Sequence, residues 1–394
     1  MKRNNNFSTL DSRYLFQEIA ARKKEFLEKN PGADVLSLGI GDTTEPLAQS
    51  IADRLRICSE EMATLNGYRG YGPEQGYEEL RRKISTIIYQ SKILPEEIFI
   101  SDGAKCDLTR LQLLFGQDVR LGIQEPSYPA YYDSARIVRG NGTKVEFLSC
   151  TKENDFLFDI RAINNADVLF LCSPNNPTGK ALNYQQLEEL VDIAIKNKKL
   201  IVFDTAYSFY MQKEFPKSIY EIKNAKRVAI EVGSFSKIAG FSGVRLGWTC
   251  VPKDITYDDN TPLINDWNRL YGTCFNGASY LSQMGGLAAL TEKGLSEIHI
   301  QIQKYLGNAK KLKNAFLQSG ITAYGAENAP YVWAHFPQKN SWQAFEEMLY
   351  THHLITSPGI GFGPSGDGYL RISGFQNDKN IEKAVERITS VRRQ

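Results

Sequence analysis

Three short apolar runs constrain the fold more than any other feature of the chain: Val168–Cys172, Leu200–Asp204 and Val228–Val232. The first is stopped by Ser173-Pro174-Asn175-Asn176-Pro177-Thr178-Gly179, a turn-forming stretch. Between the first and second runs, Tyr184 to Lys198 places Leu187, Leu190, Val191, Ala194 and Ile195 at helical intervals. Continuous apolar runs of this length suit strands buried on both faces, and strand–helix–strand spacing predicts right-handed crossovers in a parallel α/β sheet. In such sheets the ligand crevice lies beyond the C-terminal strand ends. Asn176, Asp204 and Lys237 would emerge there, from successive strands or the turns after them.

The flanks read differently. Residues 13–29 alternate charge around Leu15, Ile19, Phe26 and Leu27, and Asn30-Pro31-Gly32 ends the pattern, which predicts an N-terminal helix. After Tyr280 a helical stretch of about 35 residues, from Ser282 to Leu317, leads to strand-like Tyr331–Phe336 and Tyr369–Ile372. The expected division is an arm over 1–35, a large domain over 36–280 and a smaller α+β domain over 281–394. A length of 394 residues accommodates this, at more than twice the ~150 of a common domain.

Composition removes several function classes. The 47 basic and 45 acidic groups leave a net charge of +2, which gives no reason to expect nucleic acid or an anionic membrane as partner. No run approaches 18 apolar residues, and the basic Met1–Asn6 is not followed by the apolar stretch of a secretory signal. Six cysteines occur without a C-x-x-C pair or a nearby histidine, so no metal site is expected and a reducing, cytoplasmic setting is. Gly361-Phe362-Gly363-Pro364-Ser365-Gly366 fits G-x-G-x-x-G, but Pro364 interrupts it and no helix pattern follows, so it is set aside as a dinucleotide site.

The strongest local signal is Ser234-Phe235-Ser236-Lys237 with Gly240, Gly243, Arg245 and Gly247. It resembles the cofactor-lysine signature of the fold-type I pyridoxal-phosphate aminotransferases. The chemistry of that family accounts for the residue types. An amine must attach to the cofactor aldehyde, so Lys237 needs desolvation or nearby cations to be nucleophilic near neutral pH. Ser234, Ser236 and the Arg245 fork suit the phosphate. Ser101-Asp102-Gly103-Ala104-Lys105 before a helical run reads as a helix N-terminus, whose free N–H groups at Ala104 and Lys105 suit the same anion.

By the same resemblance, Asp204 pairs with the pyridine nitrogen, while Tyr207 and Asn176 flank the phenolic oxygen of the cofactor. Taken alone, Asp204 would be a cap and the Asn176 segment an ordinary turn. Tyr128, in Glu125-Pro126-Ser127-Tyr128-Pro129, matches the aromatic that stacks on the cofactor ring, and Asn276 adds a contact near the substrate. Tyr71, in Gly70-Tyr71-Gly72-Pro73-Glu74-Gln75-Gly76, matches a tyrosine that reaches the phosphate from a neighbouring subunit. That match implies a homodimer with shared active sites. Arg371 matches the arginine that grips the substrate α-carboxylate. The fold implied is a large domain with a mainly parallel seven-stranded sheet between helices and a smaller α+β domain.

Within that family, Leu38 to Leu47, Gly70 to Tyr77 and Gly361 to Arg371 look like the LL-diaminopimelate aminotransferase branch. The resemblance implies ping-pong exchange of an amino group between LL-2,6-diaminopimelate and 2-oxoglutarate, giving glutamate and tetrahydrodipicolinate, in lysine and peptidoglycan precursor synthesis. Such a substrate has a distal ammonium and a distal carboxylate to satisfy. Glu74 from the partner chain is the expected acceptor, with Lys105, Tyr14 and the Gly41 backbone at the same end. Thr205, Ser208 and Gly233 stand where this branch more often has Ala, Glu and a basic residue, which bears on substrate breadth. An aminotransferase for aspartate or aromatic donors, or a C–S lyase on the same fold, shares Lys237, Asp204 and Arg371.

Overall fold

The structure is a computed structural model and describes residues 1–10, 14–163 and 165–390. Its centre is a seven-stranded sheet of β1 (Ile98–Ser101), β2 (Arg120–Glu125), β3 (Lys144–Ser149), β4 (Val168–Cys172), β5 (Leu200–Asp204), β6 (Ala229–Ser234) and β7 (Gly247–Cys250). The spatial order is β1-β7-β6-β5-β4-β2-β3. All neighbours pair in parallel except those of β7, which runs antiparallel to both β1 and β6. The first two apolar runs are β4 and β5 to the residue. The third begins one residue later than expected, because the Val228 N–H closes a turn on the Ala225 carbonyl, and ends later, because Gly233 and Ser234 pair with Trp248 and Gly247.

A second, four-stranded antiparallel sheet comprises β8 (Thr322–Gly325), β9 (Tyr331–His335), β10 (Ser357–Pro358) and β11 (Tyr369–Ser373), in the order β10-β11-β9-β8. Arg371 sits opposite Trp333 on one side and Ser357 on the other. Residues Leu36 and Ser37 pair in parallel with Leu354 and Ile355, so the chain enters the large body through the small one.

Buried apolar side chains form two clusters. The larger lies around the seven-stranded sheet; the smaller gathers Leu15, Ile19 and Phe26 of helix α1 (Leu15–Lys29) with Leu36, Leu38 and the inner residues of β9 and β11. Residue 13, where the N-terminal helix was expected to begin, lies outside the described residues.

The expected 35-residue helix is two helices, Tyr280–Ala289 and Glu292–Gln318. Thr291 causes the break: its hydroxyl accepts the Gly294 N–H at 3.0 Å, an N-cap that competes with continued winding. Gly294 then lies so near the end of the first helix that a Cβ would meet the Ala288 carbonyl oxygen at 2.2 Å. The second helix joins the two bodies, burying Ile298, Ile302 and Tyr305 in the larger cluster and Leu312, Ala315 and Phe316 in the smaller.

Candidate active site

A cavity of about 370 Å³ opens at the C-terminal ends of β4, β5 and β6, facing the small sheet. Its reactive groups arrive from different elements. Asp204 is the last residue of β5 and is buried. Its carboxylate accepts the Tyr131 hydroxyl at 2.7 Å and the Ala206 N–H at 2.9 Å. Burial nevertheless pushes this carboxyl above the usual range, since those two donors offset only part of the lost hydration.

Lys237 lies in a single helical turn after β6. That turn starts because the Ser234 hydroxyl accepts the Ser236 N–H at 3.1 Å. The Lys237 amine donates to the Gly41 carbonyl. Burial lowers its pKa to about 8, helped by the positive charges of Arg371, Arg245 and Lys105 and opposed by Asp42. A lysine so placed holds a useful neutral fraction near physiological pH.

Arg371, fully buried on β11, forms the opposite wall. Its Nη1 donates to Asn176 Oδ1 at 2.7 Å and its Nη2 to the Gly39 carbonyl at 2.6 Å, while Nε has no partner among the described residues. The guanidinium carbon stands 4.6 Å from the Tyr331 ring centroid and 4.8 Å from that of Phe362. The segment after Leu36–Ser37 thus threads between the two bodies, with Gly39 offering its carbonyl to Arg371 and Gly41 offering its own to Lys237. Side chains would not fit: a Cβ at Gly39 would meet the Thr356 carbonyl oxygen at 2.4 Å, and one at Gly41 the Tyr331 hydroxyl at 2.3 Å.

A third corner is built for an anion. Gly103, with φ +126°, precedes the helix Ala104–Leu114, and a Cβ there would meet Arg245 Nη2 at 2.3 Å. Arg245 itself takes the left-handed value φ +67°, uncommon for a side-chain-bearing residue, and its Nη1 lies 3.4 Å from Ser236 Oγ. Ala104, Ser234, Ser236 and Arg245 together line that end of the cavity. Helix N–H groups, two hydroxyls and a guanidinium make a phosphate cradle.

Among the described residues, no carboxylate pairs with Arg371 or Arg245 and no cation pairs with Asp204 within 4.0 Å. Arg371 and Asp204 are buried, and a buried charge left unpaired is costly; with the more exposed Arg245 at the third corner, the cavity is complementary to a ligand with an anionic group at each of two corners and a cationic one at the third. The aldehyde-bearing, phosphorylated pyridine expected from the sequence has that pattern, and the donor set fits it.

The Aminotransferase class I and II family model matches residues 33–388. The chain belongs to that family. It is a pyridoxal-phosphate enzyme of the fold-type I α/β architecture. The chloroplastic LL-diaminopimelate aminotransferase of Arabidopsis thaliana is 47% identical over 98% of this chain and 86% of its own length. The LL-diaminopimelate aminotransferase of Protochlamydia amoebophila is 47% identical over 98% of this chain and 97% of its own. Among solved structures, the L,L-diaminopimelate aminotransferase from Chlamydomonas reinhardtii superposes with a TM-score of 0.95 at 46% identity, covering 99% of this chain and 98% of that one.

Most of the residues singled out from the sequence line the cavity of this aminotransferase, including Gly41, Lys105, Tyr128, Asn176 and Tyr207. Four do not. Tyr14, at the start of α1, holds its ring 5.1 Å from the Lys105 ammonium, which also lies 5.5 Å from the Tyr128 ring. Tyr71 and Glu74 are exposed on a loop outside the cavity, Glu74 lying beside Gly272. Asn276, expected to add a contact near the substrate, is exposed and outside the cavity of its own chain, because the Gly277 turn packs against the Pro73 carbonyl instead.

Among the lining residues not singled out from the sequence are Tyr131 and Tyr331. Tyr131 had a signal in its position one helical turn after Tyr128. Tyr331 had none, since it reaches the site only because β9 pairs with β11.

Proposed function

We infer that this aminotransferase interconverts LL-2,6-diaminopimelate plus 2-oxoglutarate with tetrahydrodipicolinate plus glutamate, in lysine and peptidoglycan precursor synthesis. The observation that carries the reaction class is a lysine of lowered pKa set between a buried carboxylate and a buried guanidinium that the protein does not neutralise. The substrate rests on the names and identities of the full-length relatives.

When bound, pyridoxal phosphate supplies an aldehyde to which the Lys237 amine attaches and a ring that takes up the electron pair left at substrate Cα. Asp204 holds a positive charge opposite its carboxylate, which its burial makes strong. Ser234, Ser236, Arg245 and the N–H groups at Ala104 and Lys105 grip the phosphate. Tyr207 and Asn176 donate toward the phenolic oxygen, and Tyr128 covers the ring. Arg371 would fix the substrate α-carboxylate and so orient Cα relative to the Lys237 amine. Lys237 Nζ then takes the Cα proton and returns it one carbon away, acting first as base and then as acid. The same residues would serve in turn for 2-oxoglutarate, with Arg371 holding its α-carboxylate and Lys237 Nζ moving the proton in the opposite direction.

The distal end of the substrate is served by Glu74 of the partner subunit in a homodimer, together with Tyr14, Lys105 and the Gly41 backbone, while Tyr71 of the partner subunit reaches the phosphate and Asn276 adds a contact near the substrate. Support for a shared site is that Tyr71 and Glu74, on one exposed loop, stand outside the cavity of their own chain. The large body over 36–280 carries the cofactor, and 281–394 with the N-terminal arm covers the substrate. We place the enzyme in the cytoplasm, consistent with six free cysteines. No described helix is long and apolar enough to cross a membrane.

The test is turnover of LL-diaminopimelate with 2-oxoglutarate by the purified holoenzyme, against aspartate, alanine and aromatic donors. The reading requires a clear preference for the first. Glu74→Gln is expected to lower kcat/KM for LL-diaminopimelate about tenfold, the loss of one charge-assisted hydrogen bond, and to leave simple donors nearly unchanged. Equal losses for all donors contradict the distal assignment.

A further inference from the structure

We propose that Tyr331 is a positioning residue of this site: its hydroxyl orients the Tyr207 hydroxyl toward the cofactor's phenolic oxygen while its ring braces the Arg371 guanidinium. The proposal rests on the pyridoxal-phosphate reading above and assigns a role to a side chain outside that reading.

The geometry is specific. Tyr331 is fully buried at the start of β9, and its hydroxyl lies 2.6 Å from that of Tyr207. The two rings meet edge to face at 5.3 Å, and Phe375 closes the other side of Tyr331 at 6.0 Å. Neither ring has room to swing. The same hydroxyl occupies the space a Cβ of Gly41 would need, and the ring lies 4.6 Å from the Arg371 guanidinium carbon. One side chain therefore touches the residue beside the cofactor oxygen, the backbone that accepts from Lys237, and the arginine that takes the substrate carboxylate.

Proton counting gives the direction. A phenol carries one proton. If Tyr207 donates its proton to the cofactor oxygen, it can only accept from Tyr331, which must then donate. A donor feeding into Tyr207 polarises its O–H and strengthens the bond it makes in turn. The titratable groups facing this pair are Arg371 from β11, Cys172 from β4, Asp42 from the segment after Ser37, Tyr210 from the turn after β5 and Tyr128 from the segment after β2; burial keeps both phenols protonated well beyond neutral pH. The relay therefore stays intact over the working range.

Tyr331→Phe tests this, since it keeps the ring over Arg371 and removes only the hydroxyl. In the holoenzyme, the pH midpoint of the absorbance change of the lysine-bound cofactor is expected to rise in Tyr207→Phe by about one unit, because an unassisted phenolic oxygen holds the neighbouring proton more tightly. Tyr331→Phe should raise it by roughly a third of that, with kcat down about threefold and the KM for 2-oxoglutarate within about twofold. Adding Tyr331→Phe to Tyr207→Phe should move the midpoint no further. Tyr331→Leu, which also removes the ring, should raise the KM as well.

Additive midpoint shifts in the double variant would overturn the proposal. So would an unmoved midpoint in Tyr331→Phe beside a clear shift in Tyr207→Phe, or a lower kcat explained wholly by lost cofactor content. Each of these leaves the proposed function standing. If the unsubstituted protein carries no cofactor at Lys237, that function fails instead.

Discussion

At the scale of single residues, the site works by withholding partners. Asp204 and Arg371 are buried ions that have hydrogen bonds but no counter-charge among the described residues, and burial disfavours the ammonium form of Lys237. Arg371→Met keeps the volume and removes the charge. It is expected to lower kcat/KM for every amino donor by about a hundredfold, ~3 kcal/mol, the worth of a buried charge-assisted pair; steady-state kinetics with donors of different length checks it. Much of this residue-level chemistry was legible because it sits in short local strings, as with Ser234 to Gly247 around the lysine. Tyr331 was not, because nothing within its own string marks it; its role depends on a hydroxyl-to-hydroxyl approach across 124 positions of chain. Asn276 lies outside the cavity of its own chain for the converse reason, a turn whose direction depends on the 73–74 loop it packs against.

At the scale of elements, continuous apolar runs gave β4 and β5 without error, since a strand buried on both faces has little freedom in composition. The division of the long C-terminal helix escaped notice because Thr291 reads as an ordinary helical residue until its hydroxyl finds the Gly294 N–H. Behind the site, β6 carries a different burden. Glu231 is buried in the sheet and accepts from Tyr89 at 2.9 Å, Ser218 at 2.6 Å and the Ile219 N–H at 3.0 Å. Gly233 leaves room for the Trp248 indole, which donates to Tyr89 at 2.7 Å and continues the network. That accounts physically for one of the unusual residues of this chain.

Burial raises the Glu231 pKa from an ordinary 4.5 to about 7, against those donors. The sign follows: below pH 4.5 the group is neutral folded or unfolded, and between 4.5 and 7 the unfolded chain ionises while the folded one keeps its proton. Unfolding therefore becomes easier by about 3 kcal/mol as pH rises through that window. Glu231→Gln cannot ionise. Urea denaturation at pH 5 and pH 7.5 is expected to show a smaller loss of stability in the variant than in the unsubstituted protein; parallel losses would mean the carboxylate is ionised throughout.

At the scale of the whole molecule, two bodies joined by the helix Glu292–Gln318 meet around the candidate active site, and the proposed shared site requires a second chain beside it. The loop carrying Glu74 exposes Leu65 to 96%, Tyr68 to 65% and Tyr71 to 89%, an apolar cluster of the kind that marks an association surface. Sedimentation is expected to give a particle near twice 44.4 kDa, and Tyr68→Glu with Leu65→Glu to give monomers that lose turnover together with dimer. A fully active monomer would contradict the shared site. The most direct test of the account as a whole is borohydride reduction of the holoenzyme followed by peptide mass analysis. It predicts a single stable pyridoxyl adduct on the Lys237 side chain, and an adduct on any other residue, or none in protein reconstituted with pyridoxal phosphate, contradicts it.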